Sequence, residues 1–299
     1  MPTINGTVKG DKWMVINPGV YTFDGLAGVD IIAWGTSQRS SYQIYQGSDG
    51  VVRVDSVSGA SQSLNASLYS IEKMTFDSGR ETVDLRIEFP DAVNKLLVGT
   101  VTADAFTSTT ENDGINGQQG IDSVAFRGSH ANYTVNKVTN FGFTIITVKD
   151  KTSADGTDTL QSVERLQFLD KKIAFDLDGN AGQVSKILGA VFGISSVTNK
   201  SYVGIGLSYL DQGMSYTDLM QLAIDASLGG RGSNTDVVNL LYTNVVGSAP
   251  DAETLAYFKG LLDNGSFTQG SLGELAADTS INTTNINLVG LALTGVEFI

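Results

Sequence analysis

Three aspartates spaced nine residues apart are the residues of this sequence best suited to chemistry. Each is followed two positions later by an apolar residue; the pairs are Asp104 and Phe106, Asp113 and Ile115, and Asp122 and Val124. Carboxylate and carbonyl oxygens are hard ligands that suit calcium. The spacing therefore predicts repeated turns in which apolar residues point into a core while carboxylates converge outside it at a calcium (Ca2+) site.

The elements that would position these residues are short strands joined by tight turns. A nine-residue unit divides into a turn of about six residues and a strand of about three, so successive units wind into a flattened solenoid. Glycine permits the turn because it adopts backbone angles that other residues avoid. The alternating runs YQIYQG, VVRVDSV, YTVNKV and FTIITVKD predict further strands.

The β-rich part of the chain contains an internal duplication. Gly25, Gly28, Asp30 and Ala33 recur 92 positions later as Gly117, Gly120, Asp122 and Ala125. The segment SIEKMTF at 70–76 matches SVERLQF at 162–168 at the same offset. The sequence thus predicts two copies of one mainly-β module, at residues 1–92 and 93–180.

The turns of both copies resemble the glycine-rich nonapeptide of secreted RTX proteins, G-G-x-G-x-D-x-U-x, over roughly residues 3–34 and 97–126. Both copies lack the second glycine. In that family, calcium lies between turns on the same side of a β-roll. The resemblance implies that Asp104 and Asp122 share a site and that Asp113 lies on the opposite edge. A turn series without metal is the alternative. The implied ligands are Asp104, Asp113, Asp122, Asp30 and Asp11.

The last third of the chain, residues 181–299, has the 3.6-residue periodicity of helices. One helix is predicted to begin at Pro250 and Asp251 and to end at Asn264 and Gly265. Segments 210–225 and 262–278 are similar, which indicates a possible internal repeat. This third also resembles an uncharacterised helical domain common at the ends of exported bacterial proteins, through Leu241, Tyr242, Gly247, Pro250, Asp251 and Phe258. The predicted fold is multidomain, with two duplicated mainly-β modules carrying short β-roll-like turns, followed by an all-α domain.

Composition excludes several functional classes. The net charge of −13 opposes binding to nucleic acid, which requires a basic surface. With no cysteine there are no disulfides or thiolate metal sites. No apolar run is long enough for membrane insertion. The single histidine, His130, rules out HExxH zinc chemistry, and nucleotide-binding and GxSxG motifs are absent. The chain is therefore not expected to be an enzyme; glycosidase-like paired carboxylates are the remaining enzymatic alternative.

Further features predict export and assembly. The opening residues do not predict an N-terminal signal peptide, and the final residues, GLALTGVEFI, resemble those of substrates of one-step bacterial secretion with a C-terminal signal. We expect an extracellular or cell-surface, calcium-stabilised structural protein that self-assembles as a homo-oligomer or lattice into a surface layer, sheath or matrix. The alternative is an adhesin or carbohydrate-binding module that recognises cell-surface polysaccharide through Tyr42, Tyr45 and Tyr133.

Overall fold

The protein is represented by a computed structural model. It describes residues 3–5, 12–14, 19–24, 30–33, 39–47, 51–57, 64–69, 71, 73–76, 79, 81–85, 95–140, 143–152 and 154–299. The chain divides into two compact units, residues 1–163 and 164–299, which are described one at a time.

The first unit is built from short strands. In chain order these are β1 (Thr3–Asn5), β2 (Lys12–Met14), β3 (Gly19–Asp24), β4 (Ile31–Ala33), β5 (Tyr42–Gln46), β6 (Val52–Ser56), β7 (Leu64–Tyr69), β8 (Lys73–Phe76), β9 (Glu81–Asp84), β10 (Lys95–Val98), β11 (Ala105–Thr107), β12 (Asp113–Asn116), β13 (Ser123–Ala125), β14 (Tyr133–Asn140), β15 (Phe143–Asp150) and β16 (Thr157–Gln161).

Parallel pairing between strands two positions apart in the chain is the signature of this unit. Strands β10 and β12 pair in parallel, as do β11 and β13, β1 and β3, and β2 and β4. Strands β7, β8 and β16 then join β3, β4 and β12 in parallel, and the hairpins they belong to extend the sheets by antiparallel pairing. The resulting orders are β1-β3-β7-β6-β5, β2-β4-β8-β9 and β10-β12-β16-β15-β14. Parallel neighbours need a crossover, and the intervening short strand of the other sheet supplies it.

Side chains alternate between core and surface along these strands. Met74 and Phe76 of β8 are buried, while Lys73 and Thr75 between them are partly exposed. This period of two is the normal consequence of the pleated backbone. Ile115 and Val124 are buried as the nine-residue pattern requires, and Phe106 is half-buried. The aspartates two residues before them therefore lie at the points where turns enter strands.

The second unit is mostly helical. Its strands β17 (Arg165–Gln167), β18 (Lys172–Ala174) and β19 (Val296–Phe298) pair antiparallel in that order. Its helices are α1 (Asn180–Phe192), α2 (Lys200–Asp211), α3 (Tyr216–Leu228), α4 (Asn234–Val246), α5 (Ala252–Asp263), α6 (Gln269–Ala277), α7 (Ser280–Asn285) and α8 (Leu288–Thr294). This order, β-sheets followed by an all-helical region, confirms the predicted sequence of fold classes.

Helix α1 forms the centre of this unit and packs against α2, α3, α4, α6 and α7. Side-chain oxygens cap the helix starts by accepting hydrogen bonds from backbone N–H groups, which otherwise lack partners. Asp251 caps α5 by accepting from Thr254 at 2.8 Å, and Asn264 ends that helix, which confirms both predicted boundaries. None of the described helices is long and apolar enough to cross a membrane.

The segment before α1 is a helix entry, since α1 begins at Asn180. Asp176 forms an ion pair with the buried Arg165 and accepts a hydrogen bond from the Ala181 N–H at 3.2 Å. Arg165 also contacts Asp211 at 3.1 Å. The two predicted repeat segments each contain a glycine at positive φ, Gly213 or Gly265, followed two or three residues later by a hydroxyl cap, Ser215 or Thr268.

Candidate functional site

Asp104 and Asp122 lie together in two adjacent turns. Strands β11 and β13, which follow them, pair in parallel with Ala105 opposite Ser123. The backbone N–H of Asp104 donates a hydrogen bond to Oδ1 of Asp122 at 2.7 Å. One carboxylate therefore links two turns that are 18 residues apart.

Asp104 also closes its own turn. Its Oδ2 accepts hydrogen bonds from the Thr100 N–H at 2.6 Å and from the Thr100 hydroxyl at 2.9 Å. The same arrangement recurs nine residues later, where Asp113 accepts from the Thr109 N–H at 2.7 Å and from its hydroxyl at 3.0 Å. Threonine thus takes part in the repeat together with aspartate.

Asp113 does not join the Asp104–Asp122 pair. Its N–H donates to Oδ1 of Asp158 at 2.9 Å, because its strand β12 pairs with β16. Asp158 lies 45 residues after Asp113, which is five nine-residue steps. Among the residues that the structure describes, these bonds form two carboxylate stacks, Asp104 with Asp122 and Asp113 with Asp158.

Glycine allows adjacent turns to approach closely. Gly120 has φ of +123°, and a Cβ there would lie 2.6 Å from the carbonyl carbon of Thr102 in the neighbouring turn. A Cβ at Gly99 would lie 2.5 Å from the carbonyl oxygen of Gly117 in the neighbouring turn. Side chains at these positions would push the turns apart, so the glycines are needed for the close stacking of the turns.

Burial makes the Asp122 and Asp158 carboxylates harder to ionise. Burial raises the pKa of Asp122; the hydrogen bond from the Asp104 N–H opposes this, and the negative charge of Asp104 adds to it. Burial likewise raises the pKa of Asp158 to about 7, against hydrogen bonds from Asp113 and Ser108, and the charges of Asp113 and Asp155 reinforce the shift. A bound cation would favour the ionised forms.

A calcium ion at Asp104 and Asp122 would need oxygen ligands beyond these two carboxylates. Asp104 Oδ1 accepts no hydrogen bond from the described residues, while Oδ2 is held by Thr100. In the part of the chain that the structure covers, no group of three or more acidic, histidine or cysteine side chains is placed to hold a metal. Since calcium takes six to eight oxygens, backbone carbonyls and water would have to complete the shell.

Asp30, another predicted ligand, belongs to a different part of the first unit. Asp30 is fully buried directly before β4, and its carbonyl accepts a hydrogen bond from the Lys73 N–H at 3.1 Å. Asp11 lies outside the described residues. Of the five predicted ligands, Asp104 and Asp122 are joined directly by a hydrogen bond.

Sequence reasoning missed the threonines and Asp158. Thr100 and Thr109 are nine residues apart, each four residues before an aspartate, so the spacing itself contained the signal. Three whole units, 99–107, 108–116 and 117–125, can be aligned with the aspartate at the sixth position. Asp158 was harder to find, because strands β14 and β15 separate it in sequence from the turns that it joins.

A polar cleft of about 400 Å³ lies beside the second stack. It is lined by Thr110, Arg127, Gly128, Asn132, Tyr133, Asp150, Thr152, Ala154 and Asp155. Tyr133 is only 4% exposed and packs against Phe126, and Tyr42 is only 3% exposed and packs against Phe76. These two rings are part of the core, so their faces are not open for stacking on sugars. Tyr45, the third predicted residue, is partly exposed, and its hydroxyl donates to the Asp55 carboxylate at 2.7 Å.

No protein-family model matches this chain, and no curated protein is significantly similar to it. Its function is therefore argued from the two carboxylate stacks and the cleft.

Proposed function

We propose that this chain is a secreted, calcium-stabilised structural protein that self-assembles into a surface layer, sheath or extracellular matrix. The observation that carries the proposal is the contact between Asp104 and Asp122 across parallel turns. Stacked carboxylates repel each other when ionised, and a divalent cation relieves that repulsion. Asp104 and Asp122 would hold the calcium ion, which would supply positive charge and coordination between the turns.

Residues 1–92 and 93–180 are, in this proposal, two copies of one module with β-roll-like turns. Two observations within the first unit support it. The order β1-β3-β7-β6-β5 corresponds to β10-β12-β16-β15-β14. The register also recurs, because Phe23 pairs with Leu68 and Ile115 pairs with Leu160, each 92 residues later. Such duplication yields a regular stack of short strands, an architecture suited to a scaffold.

Assembly is proposed from the surface chemistry. The chain carries a net charge of −13, so copies repel one another until cations screen or bridge their carboxylates. Helix α8 exposes apolar side chains, with Val289 81% and Leu293 68% exposed. Contact between such side chains on different copies would stabilise an assembly once the repulsion is reduced.

Light scattering of the purified chain tests this function. We expect large particles to form in millimolar calcium and to dissolve on chelation, and electron microscopy to show an ordered sheet or fibre. Magnesium at the same concentration is the control, because it demands a smaller, near-octahedral site. A chain that remains monomeric at high protein concentration in millimolar calcium would contradict the assembly proposal.

A further inference from the structure

The cleft beside the second carboxylate stack has a fixed frame. The Tyr133 hydroxyl donates to the Asp155 carboxylate and accepts from the Gly128 N–H at 3.0 Å. Burial raises the pKa of Tyr133 to about 12, and its hydrogen bond to Asp155 acts in the same direction. The phenol therefore stays protonated near neutral pH and holds Asp155 in place.

The loop on the other side of the cleft is fixed by Asp150. Its carboxylate accepts hydrogen bonds from the N–H groups of Thr152 at 2.9 Å, Ala154 at 2.7 Å and Asp155 at 2.9 Å, and from the Thr152 hydroxyl. Burial alone would raise the pKa of Asp150, but these hydrogen bonds together lower it. Asp150 is thus an ionised structural anchor whose oxygens are already used.

Arg127 provides the free donors of the cleft. One of its terminal nitrogens contacts Asp155 and the Thr109 carbonyl, the latter at 3.3 Å, and its side chain is 47% exposed. The other guanidinium nitrogens make no hydrogen bond to the described residues. The side chains of Asn132 and Thr110, both exposed, likewise have no hydrogen-bond partner in the described part of the chain.

We propose that this cleft binds a neutral saccharide. Sugar hydroxyls both donate and accept, which matches the free guanidinium edge of Arg127, the Asn132 amide and the Thr110 hydroxyl. The charge of Arg127 is balanced by Asp155, and Asp150 adds negative charge, so an anionic ligand gains no net attraction. A preformed polar frame also reduces the entropy lost on binding.

Affinity electrophoresis tests the site with defined probes. The native chain is run through gels containing dextran, starch, mannan or galactan, and through gels containing the anionic polysaccharide alginate. We expect retardation by at least one neutral polysaccharide. Arg127→Ala is expected to weaken binding roughly tenfold and Asn132→Ala several-fold, in line with the loss of one or two hydrogen bonds.

Two controls separate binding from folding. Arg231→Ala removes an exposed arginine from the helical unit and should leave retardation unchanged. Asn132→Ala leaves the Arg127–Asp155 pair intact, so it decides the matter if Arg127→Ala does not fold. The proposal would be overturned if only alginate retarded the chain or if none of the four neutral polysaccharides did. It would also be overturned if folded Arg127→Ala and Asn132→Ala were retarded as strongly as the parent chain. The gels are run with chelator, so that saccharide binding is measured in the absence of calcium and separately from the proposed calcium-stabilised scaffold.

Discussion

The backbone N–H of Asp104 donates a hydrogen bond to the carboxylate of Asp122 in the turn that lies 18 residues further along the chain. The N–H of Asp113 makes the same bond to Asp158. Each carboxylate therefore acts as an acceptor between turns, and the aspartates contribute to stability before any ion binds. Calcium, in the proposed function, adds to this contact by neutralising the two charges.

Replacing Asp122 tests this contact directly. Asp122→Ala removes the acceptor for the Asp104 N–H, so we expect unfolding of the β-rich unit to become easier by about 1–3 kcal/mol. Calcium affinity should also fall. Asp122→Asn is the matched variant because it keeps an acceptor oxygen and removes the charge. Chemical denaturation followed by near-UV circular dichroism measures the free energy of unfolding of both variants. Equal stability of Asp122→Ala and the parent chain would contradict the contact.

The pKa of Asp158 gives a signed prediction for pH. The folded-state pKa is raised to about 7, so the folded protein holds this proton more tightly than the unfolded chain does. That stabilisation is complete below the ordinary pKa of an aspartate and is lost as pH rises toward 7. Relative to Asp158→Asn, the parent chain should lose stability over this window by an amount on the order of 1 kcal/mol per pH unit at most. Parallel stability curves for the two proteins would refute it.

The two threonines should contribute similarly to their turns. Thr100→Val and Thr109→Val each remove a hydroxyl that donates to an aspartate. We expect each substitution to lower the free energy of unfolding by about 0.5–1.5 kcal/mol. Thr107→Val, at an exposed position of β11, is the control and should change stability little. Urea denaturation compares the three, and equal midpoints would show that the hydroxyls are not part of the repeat.

Gly120 tests the close approach of neighbouring turns. Gly120→Ala adds a Cβ that would clash with the Thr102 backbone and also strains a positive φ. Gly213→Ala is a useful comparison, because Gly213 also has positive φ but has open space around its Cβ position. We expect Gly120→Ala to lower the free energy of unfolding more than Gly213→Ala does, by at least about 1 kcal/mol. Calorimetric melting of each variant gives the comparison, and a reversed order would argue against tight stacking.

Much of the local architecture could be predicted from the sequence because local rules determine it. The nine-residue spacing indicated that Ile115 and Val124 face a core, whereas the pairing of Asp104 with Asp122 was implied by the resemblance to a glycine-rich nonapeptide. Capping chemistry located the ends of α5 at Asp251 and Asn264, since short polar side chains and glycine serve the unpaired backbone groups there.

Long-range pairing and the choice of face could not be predicted in the same way. Asp158 meets Asp113 only because β16 returns to β12 after an intervening hairpin, which no local pattern specifies. Tyr133 lies on an alternating strand, and alternation alone does not say which face is buried. The cleft at Arg127 combines residues from several segments, so it becomes visible only in three dimensions.

Thermal melting in chelator and then in calcium from about 0.1 to about 10 mM tests the central claim most directly, because this range covers the affinity of extracellular calcium sites. The parent chain and Asp122→Asn are compared, with light scattering recorded in parallel. We predict that calcium raises the melting temperature of the β-rich unit in the parent chain, with growth of large particles, and raises it much less in Asp122→Asn. An identical melting temperature of the parent chain in chelator and in 10 mM calcium would contradict the calcium-stabilised scaffold.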